Sequence, residues 1–258
     1  MVALPPGTVI TSTTAPEPSE SASRAGVADQ SAPPAAAALV GRENELRALR
    51  AAFAVARGFR PTIVLLTGEA GIGKTRLADE AAVVGRASGA RVLRGEADAL
   101  SREPMELWRG IYRGVGIVPA ADPTLPVEER RWEHLESLAD GLAAAAPALV
   151  VLEDLQWADP IAIWVLEHLP RALGDASIAV LATCRDTETE MTSLDALRRV
   201  SKLVRLGGLD VQGVRQLVVA EIPDTADGVD LVELRARTGG NPLFVQELLR
   251  SWRGRVDR

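Results

Sequence analysis

The residues with the clearest chemistry are Gly68-Glu69-Ala70-Gly71-Ile72-Gly73-Lys74-Thr75, which match G-x-x-x-x-G-K-[ST] at every fixed position. Glycines at that spacing let the backbone wrap an anion with successive N–H groups turned inward. A helix opening at the end of the run adds partial positive charge. Lys74 then reaches the β- and γ-phosphates of a nucleotide, and the Thr75 hydroxyl ligates Mg²⁺. The bland alternative is a glycine-rich turn with an exposed lysine. The position of the run, directly after an apolar stretch and directly before a helical pattern, speaks against it. Arg76 comes next and is counted with the nucleotide-contacting run, although a place on the helix surface explains it equally well.

A phosphate-binding loop of this kind needs a carboxylate near the metal, at the end of a neighbouring strand. The apolar run Leu149–Leu152 ends in Glu153-Asp154. One carboxylate would hold Mg²⁺ and the other would orient the attacking water. The usual order is aspartate then glutamate, and here it is reversed. By count Glu153 stands at the metal position and Asp154, with the shorter side chain, at the water-activating one. Both remain candidates for both roles.

Other polar residues have two readings each. Asp159-Pro160 is a helix-start signature, and capping accounts for Asp159 better than catalysis does. Trp157 is read as packing. Arg185, in Thr183-Cys184-Arg185-Asp186, is either a cation that senses the γ-phosphate or a surface arginine paired with Asp186 or Glu188. Cys184 beside it reads as a small buried hydrophobe. Asn241-Pro242 also has the form of an N-cap and first helical residue. His134 and His168 read as ordinary helix residues, and the five tryptophans as scattered.

The elements that must position these groups follow from periodicity. Thr62–Thr67, Ala148–Leu152 and Ile178–Thr183 are continuous apolar runs that predict strands buried on both faces, with weaker strands at Arg91–Arg94 and Lys202–Leu206. Helical patterns begin near Arg42 and recur at 75–87, 105–114, 127–145 and 160–173. Strands alternating with helices predict an α/β fold, a three-layer sandwich around a mostly parallel sheet over 37–206. Three short helices at 210–220, 229–237 and 242–252 predict a small helical lid over 207–258, with Gly207-Gly208 as a hinge. Residues 1–36 hold six of the sixteen prolines and are otherwise mostly Ala, Ser and Thr, which predicts a disordered tail.

Composition narrows the classes. The chain has 258 residues and a net charge of −6, which disfavours a protein that coats nucleic acid. The arginines Arg250, Arg253, Arg255 and Arg258 read as a solvated helix end. A single cysteine and two histidines leave no disulfide framework and little for a zinc site. The apolar runs fall short of the ~20 residues of a membrane span, and no secretory signal is visible, so the expected location is the cytoplasm.

Taken together the motifs resemble the STAND-class signalling NTPases, in particular the ATPase module of large LuxR-type ATP-binding transcriptional regulators, itself similar to origin-recognition-type AAA ATPases. The resemblance rests on Leu39-Val40-Gly41-Arg42-Glu43-Asn44-Glu45-Leu46, on Gly68–Thr75, on Leu149–Asp159, on Ala182–Glu188 and on Thr238–Leu248, in family order. It implies that Val40, Gly41 and Arg42 lie against the adenine, that Arg185 is the sensor arginine, and that Pro242 is the lid proline near the base. It also implies ATP with Mg²⁺ as ligands and slow hydrolysis used as a conformational switch. Partners implied are another protein or an output domain in trans, with nucleotide-dependent self-association as an option; direct DNA binding and membrane attachment are not expected. Family members normally continue into further domains, whereas this sequence ends at Arg258, which suggests a truncated relative, a partner-dependent subunit or a remnant. The competing readings are a nucleotide-holding scaffold without turnover and an origin-type DNA-loading ATPase.

Overall fold

The computed structural model describes residues 39–101, 103–118, 124–187 and 194–256, which belong to one compact unit running from Ala37 to Arg258. The expected tail over 1–36, together with Glu188, Arg258 and the side chains of Arg253 and Arg255, lies outside what is described. Five strands form one sheet: β1 (Thr62–Gly68), β2 (Arg91–Glu96), β3 (Ala148–Glu153), β4 (Ile178–Cys184) and β5 (Ser201–Leu206). Their order is β2-β3-β4-β1-β5, and every neighbouring pair is parallel. The three apolar runs become the three central strands, as they must when helices cover both faces.

One face carries α1 (Glu43–Arg57) and α2 (Lys74–Ala87) over Leu49, Val64, Leu66, Leu77 and Leu181. The other carries α3 (Glu106–Val115), α4 (Val127–Ala144) and α5 (Pro160–Ala172) over Trp108, Ile111, Leu138, Val150 and Leu166. The result is the expected three-layer α/β sandwich. A short helix α6 (Asp195–Val200) and a 3₁₀ turn (Leu155–Trp157) add to the sequence expectation. Asp159 caps α5, accepting from the N–H groups of Ile161 and Ala162 at 2.9 and 3.0 Å, with Pro160 as the first helical residue. Its second carboxylate oxygen accepts from Met105 N–H at 2.7 Å, so one side chain also fixes the entry to α3.

Beyond β5 come α7 (Val211–Glu221), α8 (Leu231–Thr238) and α9 (Pro242–Val256), with a 3₁₀ segment at Pro223–Gly228. They share a core of Leu209, Val214, Leu217, Val218, Leu234, Val245 and Leu249. Asp210 and Asp230 cap α7 and α8 through their side chains.

Two expectations are corrected here. Of the expected hinge pair Gly207-Gly208, Gly207 has open space around it, whereas Gly208 is tightly packed. A Cβ at this position would lie 1.9 Å from the Gly239 carbonyl oxygen, and the next residue, Leu209, donates its N–H to Gly240 O at 2.8 Å. The glycine is there because two backbones cross at contact distance. The tryptophans are not all scattered either. Because α4 packs along α5, Trp132 meets the edge of Trp164 at 4.9 Å, and Trp164 stacks on His168 at 4.1 Å. No helix among the described residues is long and apolar enough to cross a membrane.

Candidate functional site

The loop Gly68–Thr75 joins the carboxyl end of β1, next to the middle of the sheet, to the start of α2. Gly71 and Gly73 have φ of +75° and +101°, values that side chains rarely adopt, and Gly73 immediately precedes the helix. No side chain caps α2, which leaves its first N–H groups to an anion. Lys74 is buried, and its Nζ donates to Gly68 O at 2.8 Å and to Glu69 O at 2.9 Å. Burial lowers the pKa of Lys74; Asp154 raises it again and Arg185 pushes it further down. Lys74 thus lies near enough to Asp154 and Arg185 to feel both charges.

Glu153 is the last residue of β3, and the Thr75 hydroxyl lies near enough to its carboxylate to favour the charged form. Its carboxylate also accepts from Arg94 Nη1 at 3.1 Å, and Arg94 reaches across to Asp79 on α2. Burial pushes Glu153 above the ordinary glutamate range, while Thr75 and Arg94 pull it back. Asp154 leaves the strand in a left-handed conformation, φ +58°. Its N–H donates to Thr183 Oγ1 at 3.1 Å, and its Oδ1 accepts from Gln156 Nε2 at 2.8 Å. The other end of the same amide, Oε1, accepts from Arg185 N–H at 3.1 Å. Gln156 therefore ties the aspartate at the end of β3 to the arginine at the end of β4.

Arg185 is not paired with its neighbour Asp186, which instead binds Arg205 at 2.6 Å. Its guanidinium lies 5.5 Å above the Trp157 ring, so Trp157, half exposed, faces the site rather than the core. A cavity of about 620 Å³ opens beside Glu153, Asp154 and Trp157, walled by Arg94 and Arg109.

The residues expected near the base lie between the loop and the C-terminal helices. Val40 packs against the core of α7–α9. A Cβ on Gly41, φ +62°, would stand 3.1 Å from Gly213 Cα. Arg42 is buried and donates from Nη2 to Ile72 O at 3.0 Å. Pro242 is the first residue of α9, behind Asn241, which is 2% exposed. Asn241 Oδ1 accepts from Leu243 N–H at 3.1 Å, and its Nδ2 donates to Ala70 O at 2.9 Å. A Cβ on Gly71 would meet Leu243 at 2.7 Å, so the start of α9 rests directly on the loop.

Sequence reasoning thus missed Arg94, Gln156, Thr183 and the second role of Asn241. Gln156, Thr183 and Asn241 each had a local signal, standing inside blocks already singled out, and Arg94 did not. Among the described residues no group of three or more His, Cys, Asp or Glu can hold a metal by itself. The donor set at Thr75 and Glu153 instead suits a hard cation completed by water and phosphate oxygens.

The model of the AAA ATPase domain family matches residues 38–182, more than half of the chain. An uncharacterized protein of Rhizobium meliloti (strain 1021) is 24% identical, over 81% of this chain and 24% of its own. The chain thus spans about a quarter of the length of that curated relative. Cdc6p from Pyrobaculum aerophilum superposes with a TM-score of 0.58 at 16% identity, over 81% of this chain and 60% of that one. The Aeropyrum pernix Orc1 protein, solved in complex with DNA, gives 0.55 at 20% identity, over 83% and 59%. A chain of the E. coli MS115-1 HORMA:CdnC:Trip13 complex gives 0.51 at 15% identity, over 82% and 73%. At these identities the likeness is one of fold.

Proposed function

The chain belongs to the AAA ATPase domain family, and we propose that it is a regulatory module that binds ATP with Mg²⁺, hydrolyses it slowly and reports nucleotide state through α7–α9. The observation that carries this reading is the bond from the buried Asn241 amide to Ala70 O. It makes the start of α9 a direct neighbour of the phosphate-binding loop, so a change in the loop reaches the C-terminal helices without an intermediary.

The residues present fit the ligands. Loop N–H groups and Lys74 would take the phosphates, and Thr75 with Glu153, whose carboxylate the Thr75 hydroxyl helps keep charged, would hold Mg²⁺. The metal supplies charge neutralisation on the β- and γ-oxygens. Asp154, steadied by Gln156, would orient the attacking water, and Arg185 would read the γ-phosphate. Asp154 has a shorter reach than glutamate, and no arginine finger is assigned, which supports turnover well below the ~10 s⁻¹ median of enzymes.

We place the module among STAND-type regulators on the strength of its five sequence blocks, with an output domain or second protein as the partner that reads it. A net charge of −6 weighs against the DNA-loading alternative.

The test compares hydrogen exchange over 211–256 with a non-hydrolysable ATP analogue, with ADP and with neither. Exchange should slow most with the analogue, and Lys74→Ala should weaken ATP binding roughly tenfold or more in calorimetry, since charge-assisted bonds are worth ~1.5–3 kcal/mol. Identical exchange in all three states would defeat the switch even if ATP binds.

A further inference from the structure

A second cavity, of about 400 Å³, lies between α1 and α2 at the amino-terminal ends of β3 and β4, at the opposite end of the strands from Gly68–Thr75. Strands of this length put roughly 20 Å between the two ends. Its floor is Leu149 and Ala179, and Phe53 forms a wall. Arg50 and Arg57 stand at its mouth. Residues 50, 53 and 57 are one and two turns apart on α1, so two guanidinium groups and one ring share a face. No acidic residue lines the cavity. Among the described residues neither Arg50 nor Arg57 enters an ion pair or a side-chain hydrogen bond.

An exposed arginine alone says nothing, because water satisfies it. Two of them lining one apolar hollow that has no acidic residue on its wall is a different arrangement. A hollow of this size falls within the ~300–1,000 Å³ range of small-molecule pockets, which combine apolar walls with a few converging polar groups. The forked guanidinium geometry matches a carboxylate, which can accept two parallel bonds. At roughly 30 Å³ per heavy atom, the share of a water in the liquid, 400 Å³ seats about a dozen such atoms.

We propose that this cavity is a second ligand site, for a small amphipathic carboxylate with a hydrocarbon body of about ten carbons. The body replaces water against Leu149, Ala179 and Phe53, and the carboxylate lies between Arg50 and Arg57. The site is built from residues that take no part in the nucleotide site, so the two readings stand or fall separately.

Decanoate and decanol, titrated into the full chain by calorimetry, test it. Decanoate should saturate a single site and bind at least tenfold more tightly than decanol, as expected for bonds to a charged group. Arg50→Glu combined with Arg57→Glu should weaken decanoate at least tenfold. So should Ala54→Trp, which places a large ring at an exposed position on the cavity rim. Both variants change exposed positions and should keep the wild-type Tm and ATP affinity. Failure of decanoate to saturate overturns the proposal, as does binding untouched by Ala54→Trp. Equal affinity for decanoate and decanol also overturns it, marking an apolar surface of the kind a protein partner covers.

Discussion

Asn241 offers the sharpest test of the proposed reading of the loop by the C-terminal helices, because its two bonds can be separated. Asn241→Ala removes both. Loss of the cap on α9 costs ~1 kcal/mol, and loss of the bond to Ala70 O a further ~0.5–1.5 kcal/mol. For a fold of this size each kcal/mol moves Tm by ~2–4 °C, so the variant should melt roughly 3–10 °C lower. Asn241→Asp keeps an acceptor for Leu243 N–H, and aspartate caps as well as asparagine. It lacks the donor, so the tie to the loop is lost while the helix start is preserved.

The nucleotide affinity of Asn241→Asp then reads the lost tie together with the charge placed beside Ala70 O, and Asn241→Ser, a neutral cap too short to reach the loop, separates the two. If ATP binds the arrangement in which α9 is fastened to the loop, its apparent Kd scales inversely with the population of that arrangement. Removing ~0.5–1.5 kcal/mol from it predicts an affinity loss of about two- to tenfold. Calorimetry with ATP and hydrogen exchange across 242–256 read both effects. The reasoning is refuted if Asn241→Asp binds ATP like wild type and its α9 exchanges at the wild-type rate, since the bond would then be a bystander.

Glu153→Gln should reveal the cost of burying that carboxylate. Its pKa is raised in the folded state, so the folded chain binds the proton more tightly than the unfolded one. Wild-type stability relative to the variant therefore falls as pH rises from the ordinary glutamate value through the raised one; denaturant melts across that interval check the sign. Gly208→Ala should destabilise by ~1–3 kcal/mol, because its Cβ would lie 1.9 Å from Gly239 O, and a wild-type Tm would restore the hinge.

The parts of the site legible in the sequence are those written in consecutive residues. Gly68–Thr75 is a loop whose backbone conformation, glycine spacing and helix start are all local, so its position at the end of β1 could be read directly. Glu153-Asp154 was legible because the apolar run before it could only be a buried strand. The sheet order was not legible, and with it went the partners that depend on which strand ends meet. Arg94 finds Glu153 across 59 residues, and Thr183 finds Asp154 across 29. Asn241 finds Ala70 across 171 residues. Its capping signature is complete without that contact, so nothing local called for a second role. Gly208 was misread for a related reason. A glycine suits freedom and close approach equally well, and only the crossing backbone of Gly239 decides between them.

The carbonyls of the loop suggest a route for the proposed action of a ligand inside it on a helix outside it. Gly68 O and Glu69 O are held by Lys74 from within. Ala70 O is held by Asn241 and Ile72 O by Arg42, from the C-terminal helices and from the start of α1. On the proposed function, phosphate oxygens would compete for the lysine and leave the two outer bonds in place, so nucleotide and helices would not contend for the same donors. Drawing Nζ away would release Gly68 O and Glu69 O and leave the peptide units between them and Ala70 free to turn. Each bond to a charged donor is worth ~1.5–3 kcal/mol, enough to move a population severalfold or more. Only the difference between states counts, so ADP, which offers the lysine fewer partners, should shift α9 less than ATP does.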